Sequence, residues 1–176
     1  MTKRTFGWHF VADKLRDGSP LPKVGKWEVF KGALSMCNSG LHVGITPWDA
    51  LKYAPGATLR LVEYAEVGET QADKIVCAKR RTIAQMDATE MLRYFARLQA
   101  ISCIDRWQQD PPDEVIELLH SGDEAARSAA ESAASAAWSA AESAAWSAAR
   151  SAASAEFNAL VYECFEGPMR EIGWKP

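Results

Sequence analysis

Apolar and polar residues alternate along five short segments of the first 85 residues, which is the period of a β-strand. Glycine and proline residues separate these segments and mark turns. The five predicted strands are TFGWHFVA, KWEVFKG, GLHVG, ATLRLVEYAE and DKIVCAKRRTIA. A short helix, PWDALKYA, interrupts them, because Thr46 suits an N-cap, Pro47 the first helical position and Asp49 the first turn. The pattern predicts an α+β head over residues 1–86, with a small mixed or antiparallel sheet and one short helix.

Apolar residues recur at spacings of three and four from residue 87 to residue 107, which is typical of an amphipathic helix. Asp87 and Glu90 form a cap-like pair at its start. A proline pair then opens a second helix, DEVIELLH, which is expected to end before Ser121. The sequence therefore predicts a helical bridge over residues 87–120.

An alanine-rich repeat follows, with 17 Ala and 8 Ser among the 31 residues from 125 to 155. Its serines recur every three or four residues, and alanine has the highest helix propensity, so the segment favours a helix. Ser121 and Glu124 form a capping box at its start, and Gly167 with Pro168 is expected to end it. The predicted domains are the head (1–86), the helical bridge (87–120), the long Ala/Ser-rich helix (121–167) and a C-terminal tail (168–176).

Two tryptophans of this repeat, Trp138 and Trp146, lie on neighbouring positions of one side of the predicted helix. A wider apolar face continues the helix at Phe157, Leu160 and Val161. Because alanine side chains let another backbone approach closely, these residues favour an interface between copies of the chain. We expect a homo-oligomer, most simply a two-fold dimer. The alternative interpretation is a solvated, alanine-rich spacer.

Composition and charge exclude several classes of protein. The chain is 48% hydrophobic and 24% charged, with a net charge of -3, which is typical of a folded protein without a general affinity for nucleic acid or anionic membranes. Its start has no apolar signal region, and no segment resembles a membrane span. We expect a cytoplasmic protein with no membrane partner. Nucleic-acid binding through the basic run at residues 79–81 is a minor alternative.

Cysteine and histidine spacing gives no indication of a metal site or a known catalytic motif. The four cysteines occur singly, which indicates reduced and mostly buried thiols, and the three histidines are far apart. Motifs for phosphate loops, dinucleotide binding and nucleophile elbows are absent from the sequence. We therefore predict no metal and no cofactor, and consider binding a better hypothesis than catalysis.

A family resemblance rests on CNSGLHVGITPWDALKYAPGATLRLVEYAEVG, together with WHFVADKLRDGSPLP, DKIVCAKRRTI and the Ala/Trp repeat. With these segments the chain resembles a family of uncharacterised bacteriophage and prophage proteins, over nearly its whole length. That family combines a head containing GLHxS-like and DALxYAPG-like motifs with an alanine-rich tail. Gly44 stands where a small hydroxyl residue is more usual. The resemblance implies a phage-encoded protein of the host cytoplasm.

A looser, local resemblance concerns the order GLHV strand, short helix and LRLVEY strand, which looks like the centre of ADP-ribosyltransferase folds. This resemblance implies that His9 hydrogen-bonds the ribose of NAD and that Tyr53 stacks on its nicotinamide end. A late glutamate in a recognisable transferase motif is not found in the head. An NAD-dependent transferase is therefore an alternative hypothesis.

The residues chosen for a ligand pocket are His9, His42, Tyr53, Arg80 and Arg81, with Lys74 and Arg60 as neighbours across strands. Arginine clusters hold phosphate through bidentate hydrogen bonds, so the expected ligand is a small anionic nucleotide. Each choice has a structural alternative. His42 could be satisfied by a neighbouring carbonyl, Tyr53 could pack against the short helix, and the basic run could be a solvated face.

Three functional hypotheses follow. The first is a non-enzymatic, phage-encoded binding protein that neutralises a host factor, either by sequestering a signalling nucleotide or by masking a defence protein. The second is a structural or assembly protein that acts through its long helix. The third is the ADP-ribosyltransferase-like enzyme.

Overall fold

The computed structural model describes residues 4–15, 18–102, 113–122 and 145–176, without the side chains of residues 114, 115, 118 and 145–150. The chain divides into two compact units. The first unit consists of Met1–Thr89 and Phe157–Pro176, and the second consists of Glu90–Glu156. The described strands are β1 (Thr5–Val11), β2 (Trp27–Val29), β3 (Leu41–Gly44), β4 (Thr58–Thr70) and β5 (Lys74–Asp87). The described helices are α1 (Pro47–Leu51), α2 (Thr89–Ser102), α3 (Asp113–Ser121), α4 (Ala145–Cys164) and α5 (Glu166–Glu171).

The predicted α+β class is confirmed, and each of the five described strands lies within or overlaps a predicted segment. All the strand pairings are antiparallel. β5 pairs with β3, β3 with β1, β1 with β4, and β4 again with β5, so four strands form a ring. β2 pairs with β5 outside this ring.

The long hairpin of β4 and β5 closes the ring because each of its strands pairs with more than one other strand along its length. Residues 74–77 of β5 pair with β3, whereas residues 79–81 pair with β2. The β4–β5 register shifts between Leu61 and Val62 and again between Val67 and Thr70. Glu66, between the two shifts, has a positive φ of 57°. Such irregularities bend and twist a hairpin, which allows it to close a small ring.

Helix α1 begins as the sequence predicts. The Thr46 hydroxyl accepts a hydrogen bond from the Asp49 backbone N–H at 3.1 Å, and the Thr46 backbone N–H donates to the Asp49 carboxylate at 3.2 Å. Pro47 occupies the first turn. This reciprocal capping box satisfies donors that the first turn would otherwise leave free. The Trp48 backbone N–H donates to Oδ1 of Asn158 at 2.9 Å, which joins α1 to the end of α4.

The outer face of β1 is covered by the C-terminal residues of the first unit. The Trp8 ring packs edge-on against Phe165 at 5.1 Å and lies 5.9 Å from the ring of Trp174. Phe157 and Val161 are fully buried. The apolar face that the sequence analysis assigned to an interface between copies therefore lies inside the same chain. Its burial needs no partner.

Other residues chosen for that interface give less information. Leu160 is half-buried in α4. Trp138 lies outside the described residues, and so does the side chain of Trp146. The homo-oligomer therefore stays a prediction.

The predicted end of the long helix is corrected by the structure. α4 ends at Cys164, and Gly167 and Pro168 lie inside the first turn of α5. Proline is tolerated there because the N–H groups of a first turn have no partner within the helix.

The second unit contains α3 and all of α2 except Thr89. Ser121 was expected to cap the alanine-rich helix, but it is the last residue of α3. Gly122 follows with a φ of 77°, the left-handed conformation that commonly ends a helix. Glu124, the other member of the predicted capping box, lies outside the described residues. Within the same unit, Nε2 of Gln99 donates to the Glu156 carboxylate at 2.7 Å.

Candidate functional site

The strands of the ring present two different faces because successive side chains alternate. On β1, Trp8 points to the C-terminal helices, so His9 lies on the opposite, inner face. The strand register places His9 directly opposite Arg60 of β4. Part of the inner face is filled by a small apolar cluster of Val43, Val62 and Cys77. The remainder carries charged and polar side chains.

A cavity of about 540 Å³ lies within the first unit, between β1 and β3. These strands pair at Trp8 and Gly44, and the cavity is lined by residues that follow Trp8 and residues that precede Gly44. Gly44 itself is tightly packed, because a Cβ atom there would lie 2.6 Å from the Ala50 backbone nitrogen. The polar lining residues are His9, Lys14, Cys37, Asn38, His42, Tyr53, Lys74 and Arg80.

The cavity lining is basic. Lys14, Lys74 and Arg80 contribute positive charges, and none of the 19 described lining residues is Asp or Glu. Among the described residues, no group of three or more His, Cys, Asp or Glu side chains is arranged to hold a metal ion. The lining therefore suits an anion, and it offers no carboxylate for acid–base chemistry or cation binding.

Arg80 is held rigidly at the wall of the cavity. Its side chain is 5% exposed, and Nη2 forms an ion pair with the Glu28 carboxylate at 3.2 Å. Nη1 donates to the backbone carbonyl of His42 at 2.6 Å. A guanidinium has five N–H donors, so these contacts and the longer Nε contact to Glu28 leave part of its capacity unused. Arg80 thus combines a fixed position with donors for a ligand.

His9 and Arg60 are the least satisfied polar groups of the inner face. Nδ1 of His9 and Nε of Arg60 are buried, and neither has a hydrogen-bond partner among the described residues. Burial, then the charges of Arg80 and Arg60, hold the pKa of His9 well below its ordinary value. His9 is therefore a neutral imidazole at neutral pH.

His42 is also held neutral, near the mouth of the cavity. Burial, then the charges of Lys74 and Arg80, lower its pKa. Its Nε2 accepts a hydrogen bond from the Cys37 backbone N–H at 3.1 Å, which places the proton of the neutral ring on Nδ1. The ring also has a hydrogen bond to the backbone of Gly40, which acts to raise the pKa of His42 and is therefore donated to a carbonyl, as the structural alternative expected.

Lys74 is a half-buried residue of the cavity lining. Its Nζ lies 3.1 Å from Sγ of Cys37 and 3.2 Å from the Tyr53 hydroxyl, and these contacts raise the pKa of Lys74. The Tyr53 hydroxyl donates to Asp73 at 2.9 Å. Tyr53 is 54% exposed, so it stands at the mouth and is not packed against the short helix. Cys37 is exposed, as is Cys164, which corrects the expectation of mostly buried thiols.

Four of the five residues chosen from the sequence line this cavity: His9, His42, Tyr53 and Arg80. Arg81 does not, which corrects its assignment to the pocket. It forms an ion pair with Glu63 at 2.7 Å, and its guanidinium lies 4.8 Å from the ring centre of Trp27. Alternation along β5 gives the physical reason, because a step of one residue moves a side chain to the other face.

Sequence reasoning did not choose Lys14, Cys37 or Asn38, and it treated Lys74 and Arg60 only as neighbours of the site. The strand period assigns Arg60 to the same face as Val62, but no local signal shows that His9 lies opposite it. Lys14 and Asn38 stand in connecting segments outside the named strands, where no period applies.

A comparison with known protein families assigns the chain to a family. Neither the curated proteins nor the solved structures give a match to the chain. None of the described helices combines the length and the apolarity needed to cross a membrane. A family model described as a domain of unknown function, DUF7666, matches residues 6–94, about half of the chain, and covers β2 to β5 and all of β1 except Thr5. The chain therefore belongs to the DUF7666 family.

Proposed function

We propose that the head binds a small organic anion in the cavity between β1 and β3, and that it binds this ligand without converting it. The observation that carries the proposal is the lining: three positive charges, two neutral imidazoles and no carboxylate among the described residues. Charge-assisted hydrogen bonds from Lys and Arg are among the strongest that proteins make to phosphate and carboxylate groups. A cavity with this lining attracts anions and repels cations.

The size and mixed lining of the cavity favour an organic anion over a bare inorganic one. Its volume of about 540 Å³ lies within the usual range for small-molecule sites. Val11, Leu15 and Leu41 add apolar surface beside the polar groups. Neutral His9 has a buried Nδ1 without a partner among the described residues, which suits an uncharged polar part of a ligand. A nucleotide has this combination of anionic, polar and apolar parts.

In the phage context implied by the sequence resemblance, we propose that the ligand is a signalling nucleotide of the host and that the protein sequesters it. Masking of a defence protein and assembly through the alanine-rich segment are the other proposals, and they depend on residues outside the described part of the chain.

A second candidate is the NAD-dependent transferase. His9 and Tyr53, which the local resemblance assigns to NAD, both line the cavity. The two candidates differ in product. Incubation with NAD, followed by mass analysis of the nucleotide, should show intact NAD if the protein only binds, and free nicotinamide if it is a transferase.

The binding proposal is tested by titrating pyrophosphate into the protein by isothermal titration calorimetry. Replacement of Lys74 by Gln removes one positive charge from the cavity lining. Because Lys74 is half-buried and is not part of the core, the variant should fold. We expect its affinity to fall about tenfold, which corresponds to about 1.4 kcal/mol.

Lys79→Gln is the matched control. Lys79 also lies on β5, but it pairs with Glu66 and does not line the cavity. The control should bind pyrophosphate as the wild-type protein does. Equal losses in the two variants would show that the anion binds elsewhere, through general charge, and would refute the proposal.

A further inference from the structure

Cys37 places an accessible thiol in the lining of the cavity. It is one of the lining residues and is exposed. Cys77, which does not line the cavity, is fully buried, and burial raises the pKa of its thiol to about 11. Because the thiolate is the reactive form of cysteine, Cys77 is unreactive at neutral pH. Among the described cysteines, Cys37 is therefore the one that a molecule in the cavity can reach.

A tight turn before β3 fixes the backbone of Cys37. Ser35 and Ser39 exchange two backbone hydrogen bonds of 2.9 Å, and Cys37 lies between them with a φ of 65°. Residues other than glycine adopt this left-handed conformation rarely, so neighbouring contacts have to hold it. One such contact is the Cys37 backbone N–H, which donates to Nε2 of His42 at 3.1 Å. The turn thus ties Cys37 to another residue of the cavity lining.

A cation lies against the sulfur of Cys37. Nζ of Lys74 donates to Sγ of Cys37 at 3.1 Å and to the Tyr53 hydroxyl at 3.2 Å. The acid of this network, Asp73, accepts from Tyr53 at 2.9 Å and pairs with Lys52 at 3.5 Å. A thiolate carries its negative charge on sulfur, and an ammonium at hydrogen-bond distance stabilises that charge. Lys74 therefore supports the reactive form of Cys37.

Two other lining residues indicate independently that a molecule occupies the cavity beside this thiol. The Arg80 side chain is 5% exposed and keeps donor capacity beyond its contacts with Glu28 and the His42 carbonyl. Nδ1 of His9 is buried and has no hydrogen-bond partner among the described residues. Because Arg80 and His9 line the same cavity as Cys37, a molecule that satisfies them lies in the space that holds the thiol. The basic lining favours an anionic molecule.

We propose that Cys37 is a modification site that forms a mixed disulfide with small disulfides carrying carboxylates, the class to which glutathione disulfide belongs. The Cys37 thiolate attacks one sulfur of the disulfide, the bond between its two sulfurs breaks, and a new bond joins Cys37 to one half. The other half leaves as a thiolate and takes up the proton that Cys37 lost. The attached half occupies the cavity and excludes the anion of the proposed function. This inference rests on the proposed function, because the same basic lining attracts the disulfide.

Cys164 is a control thiol within the same chain. It is exposed like Cys37, but two exposed acids, Glu163 and Glu166, flank it in sequence. The test treats the wild-type protein with dithiodipropionate, a dianionic disulfide, or with cystamine, a dication of similar size, and follows each cysteine by peptide mass spectrometry. We expect Cys37 to react with dithiodipropionate at least about tenfold faster than Cys164. With cystamine this advantage should be lost.

A pair of variants tests the role of the neighbouring cation. Lys74→Met should slow the reaction of Cys37 with dithiodipropionate about tenfold and leave Cys164 unchanged. The matched control Lys79→Met should keep the wild-type rates, because Lys79 pairs with Glu66 and does not line the cavity. An unchanged rate of Cys37 in Lys74→Met would overturn the role of Lys74. The comparison of the two thiols in the wild-type protein does not depend on how either variant folds.

Calorimetry with pyrophosphate separates the two proposals. The protein modified at Cys37 should no longer bind pyrophosphate, and pyrophosphate should protect Cys37, but not Cys164, from dithiodipropionate. Equal rates of the two thiols in a protein that binds pyrophosphate would overturn the modification site and leave anion binding in place. Unchanged affinity of the modified protein would overturn the claim that the attached group occupies the cavity. Failure of the unmodified protein to bind pyrophosphate would overturn the proposed function itself.

Discussion

The two faces of the strand ring are built from neighbouring residues, yet they have opposite character. On β1, the Trp8 ring packs against the rings of Phe165 and Trp174, whereas His9 lies opposite Arg60 of β4. On β5, Arg81 is paired with Glu63 and stacked on Trp27, whereas Arg80 is buried beside the cavity. The outer face is covered or paired by the chain itself. Buried nitrogens without a hydrogen-bond partner among the described residues occur on both faces, at Nε1 of Trp8 and at Nδ1 of His9 and Nε of Arg60. The basic cavity lining without a carboxylate among the described residues is what makes the inner face the one on which to look for a ligand.

The comparison also shows how similar residues acquire different roles. Glu63 receives hydrogen bonds from both Arg4 and Arg81, and these contacts hold the pKa of its carboxyl below its usual value. Its two arginines therefore share one fully engaged acid on the outer face. On the inner face, Arg60 and Arg80 also share one acid, Glu28, but only Arg80 contacts it. Both faces thus carry two arginines for one acid, but on the inner face one of the arginines, Arg60, does not contact that acid.

The largest expected effect concerns the cover of the outer face. Phe157 is fully buried and packs 5.9 Å from the ring of Trp48, so Phe157→Ala should lower the free energy of unfolding by about 3–5 kcal/mol. Urea denaturation measures this loss. Glu163→Ala, at an exposed position of the same helix, should change stability by less than about 0.5 kcal/mol. Similar losses of unfolding free energy in the two variants would show that Phe157 of α4 does not stabilise the strand ring by packing against it.

The next effect separates the two adjacent arginines. Arg80→Ala breaks a buried ion pair and should cost about 3 kcal/mol or more of unfolding free energy, because Glu28 is left without its partner. Arg81→Ala should cost less than about 1 kcal/mol, because the pair is partly exposed and Arg4 still binds Glu63. Urea denaturation of both variants gives the comparison. A larger loss for Arg81→Ala would contradict the assignment of faces.

The smallest effect is a pH dependence that belongs to the inner face. The pKa of His9 is lowered in the folded state, so the unfolded chain takes up a proton first as the pH falls below the ordinary value of 6.5. The His9 contribution to the free energy of unfolding is therefore fully present above the ordinary pKa of 6.5 and is lost as the pH falls below it. The His9 contribution has a slope of at most about 1.4 kcal/mol per pH unit.

His9→Gln removes that contribution, so its unfolding free energy should fall less steeply than that of the wild-type protein between pH 6.5 and 5. His42 contributes in the same direction and remains in the variant. Identical slopes for the two proteins would show that His9 is not held neutral by the fold.

Local elements were predictable because they depend on short-range chemistry. Alternation located the five strands, and the Thr46 and Asp49 pair located the start of α1. The ring was not predictable, because the pairing of β3 with both β1 and β5 depends on contacts distant in sequence. The same limit affected Phe157, whose apolar surroundings indicate burial without indicating against what.

The candidate site shows the same division. Residue type identified His9, His42, Tyr53 and Arg80, but Arg81 was included because a basic run was treated as one cluster. The strand period alone would have separated Arg80 from Arg81. The strand period could not identify Arg60 as a notable residue. Its buried Nε has no hydrogen-bond partner among the described residues, and only the packed structure reveals this.

Nuclear magnetic resonance with ¹⁵N-labelled protein tests the central claim most directly, since it reports on both faces during one titration with pyrophosphate. The imidazole resonances of His9 and His42 should shift progressively, while the indole N–H of Trp27, which stacks with Arg81 on the outer face, should not move. Shifts at Trp27 with unchanged histidine resonances would place the anion on the outer face and contradict the account.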